Sequence, residues 1–151
     1  MGGIPYYLSL LNKQESLVQN IDRLFFSKDT KMRREFRRLF NTLYKNPAKY
    51  IEIITALGKS RQGMTRGQLA DSLKCPNNGH LGNKLEDLVY CDLIRKNVVR
   101  EKNIKQKDAV YQLCDFFCLF YLTFSNRAEV ENNYWAHHIN TPEINSWMGL
   151  A

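Results

Sequence analysis

Apolar residues recur at helical spacing along most of this chain and give way to β-rich segments only near its middle. Leu17, Ile21, Leu24 and Phe25 predict a helix over Ser16–Phe26. Phe36, Leu39, Phe40 and Leu43 predict one over Met32–Tyr44, with Arg33, Arg34, Arg37 and Arg38 on its other side. Asn46-Pro47 separates it from a third, Ala48–Leu57, whose end lies near Gly58. Thr65 suits the N-cap of a helix over Arg66–Lys74 that buries Leu69, Ala70 and Leu73. A turn at Cys75-Pro76-Asn77-Asn78-Gly79 leads to a helix over Asn78–Tyr90, carrying Leu81, Leu85, Leu88 and Val89. Leu93–Val99 and Ala109–Leu113 read as strands joined by a basic loop. Asp115 opens a helix over Phe116–Phe124 that is apolar nearly all round, which predicts burial on nearly every side. Gly2-Gly3-Ile4-Pro5 predicts a turn into a first helix bearing Tyr7, Leu8, Leu10 and Leu11. Near the end, Arg127–His138 reads as an amphipathic helix, and Thr141-Pro142-Glu143 starts another.

The central order of helix, turn, helix, strand, basic loop and strand is the outline of a winged helix. The expected fold is therefore mainly α: a winged helix-turn-helix core, three helices plus a small β wing, with flanking helices. The expected division is a helical piece at 1–30, the winged helix at 31–115 and the helical start of a further domain at 116–151.

Charge sharpens this picture. The net charge is +7, but residues 31–49 hold seven Lys/Arg against Glu35 alone, and residues 95–107 hold six against Glu101 alone. Residues 108–151 hold five acids against Arg127 alone. Two basic segments and an acidic tail are more informative than the total. With 44% hydrophobic and 25% charged residues, the composition is that of a soluble globular protein. No apolar run reaches the ~20 residues a membrane helix needs, and no signal peptide is recognisable. The four cysteines form no CxxC pair and read as free thiols in a reducing cytoplasm. The abrupt Met-Gly-Gly-Ile-Pro start and the apolar end at Trp147–Ala151 read as those of a piece of a longer chain.

Four features carry a family resemblance: Gly2-Gly3-Ile4-Pro5-Tyr6-Tyr7-Leu8, the winged-helix pattern, Tyr111-Gln112-Leu113-Cys114-Asp115-Phe116-Phe117 with its aromatic helix, and Trp147-x-Gly149-x-Ala151. In this order they resemble the C-terminal half of archaeal-type AAA+ ATPases of the STAND class. The resemblance implies that residues 1–30 are a remnant of the helical lid behind an ATPase core. It also implies that residues from 116 onward begin a nuclease-like domain of unknown function. ATP and Mg would belong to the parent protein, because no GxxxxGK[ST] phosphate loop is present here and this piece holds no cofactor of its own. The missing ATPase core and the C-terminal domain of the same chain would be its intramolecular partners.

Two readings of function follow. In the first, the module binds double-stranded DNA. Asn77, Asn78, Asn83 and Lys84 would face bases from the helix beginning at Asn78, with His80 beside them as a capping or DNA-facing residue. Arg95, Lys96, Arg100, Lys102, Lys105 and Lys107 on the wing would meet phosphates, as would Arg33, Arg34, Arg37 and Arg38. Glu86, Asp87 and Asp92 would repel phosphates if they faced the groove. In the second, the module is an intramolecular or protein-binding arm that relays nucleotide state without touching DNA. Convergence of both basic segments beside Asn78 favours the first reading. An isolated enzyme is not expected, since no catalytic set stands out. Nor is a metal site, because adjacent His137 and His138 point about 100° apart on a helix.

Overall fold

The computed structural model describes residues 8–27, 30–98, 109–124 and 133–149. It is mainly helical with one small antiparallel sheet. Two compact units are formed, one joining residues 1–39 to 120–151 and the other comprising 40–119.

Aromatic packing and one buried carboxylate hold that first unit together. Helix α1 (Leu17–Ile21) is capped by Ser16, whose hydroxyl accepts from Gln19 N while the Gln19 side chain accepts from Ser16 N. It runs on into a π-helical turn, Asp22–Phe26. Phe26 from this turn packs with Phe124, Tyr134, Trp135 and Ile144 in one buried cluster. The Asp22 carboxylate, itself buried, accepts from Trp135 N at 2.8 Å and Ala136 N at 3.0 Å. Those N–H groups lie in the first turn of a helix, where no intrahelical acceptor exists. Asp22 thus supplies the cap that Asn133, in the left-handed region, does not.

The second unit contains the last residues of α2 (Lys31–Leu43), then α3 (Ala48–Gly58), β1 (Met64–Thr65), α4 (Arg66–Ser72), α5 (Gly79–Tyr90), β2 (Ile94–Asn97) and β3 (Val110–Leu113). It ends in the first part of α6 (Phe116–Phe124), with α7 (Tyr134–His138) and α8 (Pro142–Met148) belonging to the first unit. In the sheet, β3 is central and antiparallel to both neighbours, pairing Met64 with Tyr111 and Ile94 with Leu113. Helix α3 packs on α4 and on β3, α4 on α5, and α5 on β2. Ile53, Leu57, Leu69, Leu85, Leu88, Leu93, Ile94, Tyr111 and Leu113 are buried.

Several expected helices appear close to their expected bounds. Thr65 caps α4, with Gln68 completing the reciprocal pair. Asn78, Asp115 and Thr141 accept from Leu81 N, Cys118 N and Ile144 N at the starts of their helices. Strand β1 was not anticipated, because two residues carry no periodicity. The expected burial of α6 on nearly every side is also corrected. Only Cys118 and Phe124 are buried, whereas Phe116 is 51% exposed and Phe117, Leu119, Phe120 and Tyr121 are half-buried. Aromatic neighbours cover faces of these rings rather than enclosing them, as where Phe36 stacks on Tyr121 at 4.1 Å. The Gly2–Tyr7 motif, most of the wing loop and most of the expected Arg127–His138 helix lie outside the described residues. Among the described residues no helix is long and apolar enough to cross a membrane.

One glycine fixes the start of β1. Gly63 has φ +83°, and a Cβ there would lie 2.5 Å from the Tyr111 carbonyl oxygen and 2.8 Å from Val110 Cγ1. Both the backbone angle and the missing side chain are required. Gly63→Ala should therefore destabilise the protein by about 2–4 kcal/mol. Urea unfolding would read this as a lower midpoint; a midpoint equal to that of the parent would contradict this close approach.

Candidate nucleic-acid interface

The polar surface of interest is built around the start of α5. Helix α4 ends at Ser72, Lys74 turns through φ 49°, and Pro76–Asn78 bring the chain to the N-cap. Leu81, Leu85 and Leu88 then bury one face of α5. The 3.6-residue period places Gly79, Asn83, Glu86 and Tyr90 on the opposite face. Asn83 is exposed on that face; Asn77, Asn78 and His80 are exposed at the helix start, where Asn78 Oδ1 is engaged as the cap and Asn78 and His80 border an apolar pocket with Ile53, Leu73 and Leu81. Four of the five expected DNA-facing residues are thus gathered at one helix end.

Lys84, the fifth, lies one turn on from His80 on the same side of α5 and lines the same pocket. Its Nζ sits 4.4 Å from the ring centroid of Tyr50. Tyr44 stacks on that same ring at 3.7 Å and 7°, so Tyr50 is held between Tyr44 and the Lys84 ammonium. The Tyr50 hydroxyl donates to Asp87 Oδ2 at 2.6 Å. Burial, then this bond to a carboxylate, pushes the Tyr50 hydroxyl up to about 12. Burial also raises Tyr44. Leu43, Tyr44, Tyr50, Asp87 and Tyr90 line an open cleft of about 500 Å³ on this flank, where the Tyr90 side chain is 91% exposed.

The acidic residues of α5 are not left bare. Glu86 Oε1 accepts from Lys96 Nζ at 2.7 Å, and that bond holds the ammonium above its ordinary range. Arg95 Nε donates to Gln112 Oε1 at 3.0 Å and stays exposed. Arg100, Lys102, Lys105 and Lys107 lie outside the described residues, as does the Arg33 side chain. Arg34, Arg37 and Arg38 are exposed and belong to the first unit, with Arg38 Nη1 3.8 Å from Glu35 Oε2.

A residue absent from the expected set is Arg66, the first of α4. Its Nε donates to Asn77 Oδ1 at 2.6 Å. A Cβ on Gly82 would come within 3.4 Å of its Nη1, so the guanidinium runs beside α5. The basic flank of a helix is readable in sequence only for residues on that helix, and Arg66 reaches α5 from its neighbour.

The four cysteines are free thiols, and burial pushes those of Cys114 and Cys118 up. His138 stacks on Tyr134 at 4.2 Å. Among the described residues no three His, Cys, Asp or Glu side chains gather where they could hold a metal ion.

The Tyr50 geometry predicts an alkaline signature. Because folding raises this hydroxyl above its unfolded value of about 10, its contribution is complete below pH ~10 and is lost as pH rises towards 12. Tyr50→Phe should flatten that alkaline loss and cost about 1–3 kcal/mol at neutral pH, where Asp87 loses its donor. Urea midpoints at pH 7 and at alkaline pH test this; identical pH profiles for the two proteins would contradict it. Comparison of the chain with protein-family models, curated proteins and solved structures finds no match.

Proposed function

We propose that residues 40–119 are a winged helix-turn-helix module that binds duplex DNA through the N-terminal end of α5. Asn77, Asn78, His80 and Asn83, exposed together at the N-terminal end of α5, are the observation that carries this reading. The Asn83 side-chain amide, whose oxygen is not taken up among the described residues as those of Asn77 and Asn78 are, suits an adenine edge, and in the order α3, β1, α4, α5, β2, β3 helix α5 would be the one to enter a major groove. The loop between β2 and β3 serves as the wing, with Arg95 and Lys96 at its base. The module is non-catalytic. It delivers to DNA a parent that resembles the STAND-class AAA+ ATPases and binds ATP and Mg elsewhere in its chain.

Glu86 is the obstacle within this face, and its pairing with Lys96 supports the proposal. An exposed ion pair contributes about 0–1 kcal/mol, so Lys96 can exchange Glu86 for a phosphate at little cost. The cleft beside α5 favours a second reading, a protein-binding arm. Tyr90 and Leu43 expose apolar surface there, and aromatic rings of this kind anchor protein interfaces.

Fluorescence anisotropy with a labelled random duplex tests the first reading. Binding should be measurable at about 50 mM salt and weaken by up to ~10³-fold at 200 mM if six phosphates are engaged. Glu86→Gln should tighten binding about three- to tenfold at low salt, by removing a carboxylate and releasing Lys96. Absence of binding at low salt would overturn the DNA reading in favour of the protein-binding arm.

A further inference from the structure

We infer that Arg66 is a phosphate clamp, gripping one backbone phosphate of the DNA that lies along α5. The inference rests on the DNA-binding reading and adds to it a residue outside both basic segments. Three constraints place the guanidinium. Thr65 is fixed by pairing with Val110 and caps α4, so the backbone of Arg66 starts from a defined position. Asn77 Oδ1 takes the Nε–H at 2.6 Å, which sets the plane of the group. Gly82 offers no side chain where Nη1 passes.

The charge is held but not neutralised. Asn77 is a neutral partner, and among the described residues no carboxylate lies within ion-pair distance of Arg66. Lys96 and Lys49, by contrast, are each bonded to a glutamate at 2.7 Å. With Nε engaged, the Nη1 and Nη2 hydrogens remain, and this planar fork matches two oxygens of one phosphate. Asn77 itself stays exposed at the start of α5, so the same residue links the phosphate grip to the base-facing end. Phosphate contacts of this kind fix register on the duplex without reading sequence.

The test uses the whole 151-residue chain, a labelled random duplex, and a salt series from about 50 to 200 mM. Arg66→Ala should weaken binding about tenfold at low salt and lower the slope of log K against log salt by about one. Arg66→Lys should keep the slope and recover only part of the affinity, since an ammonium cannot hold Asn77 and two phosphate oxygens in one plane. Asn77→Ala should keep the slope and lose a few-fold in affinity. Melting curves by circular dichroism verify folding, and if Arg66→Ala fails to fold, Arg66→Lys and Asn77→Ala carry the test. If the parent chain binds and Arg66→Ala matches it in affinity and slope, the clamp is overturned while the DNA reading stands. The clamp is likewise overturned if both Arg66→Lys and Asn77→Ala bind as the parent does. No binding by the parent chain at low salt overturns both.

Discussion

Everything around α5 depends on the close passage of Gly63 against β3. A Cβ on residue 63 would lie 2.5 Å from the Tyr111 carbonyl oxygen, so only glycine fits there at φ +83°. That passage lets Met64 and Thr65 pair with Tyr111 and Val110. Thr65 then becomes the cap of α4, and Arg66 begins the helix where it reaches Asn77. The other edge of β3 pairs with β2 and sets Lys96 against Glu86. One central strand therefore positions side chains on both sides of the exposed face of α5.

The cations in this unit divide by how they are compensated. Lys84 lies over Tyr50, and Lys96 is bonded to Glu86. Arg66 has, among the described residues, a neutral amide as its partner. An exposed pair such as Lys96–Glu86 is weak and screened by salt, so it orders the side chain without consuming it. The Tyr44–Tyr50–Lys84 sandwich is a packing arrangement, strengthened because Tyr50 also satisfies Asp87. In the proposed module these allocations separate a rigid aromatic flank from a flank whose charge faces outward.

Features set by neighbours in sequence were legible. Thr65, Asn78, Asp115 and Thr141 announce helix starts because a short polar side chain reaches a backbone N–H three residues on. The buried leucines of α5 follow from their spacing alone. What escaped the sequence depends on distant partners. Asp22 caps a helix 113 residues away, a pairing that no local pattern announces. Strand β1 exists only because β3 runs beside it. The four asparagine and histidine positions at the start of α5 were legible as a group, but Lys84 was not, since its ring partner comes from α3. The position of Arg66 was hidden for the same reason: it is set by Asn77 and Gly82 on the far side of a turn.

The most direct test of the central claim is a two-dimensional ¹H–¹⁵N spectrum of the labelled chain titrated with a random duplex. DNA seated on the N-terminal end of α5 predicts that the amides of Asn77, Asn78, His80 and Asn83 shift first, together with the Arg66 Nε–H resonance. Shifts confined to Leu43, Tyr44, Tyr90 and Cys91, or none at all, would contradict the account and direct attention to the aromatic cleft.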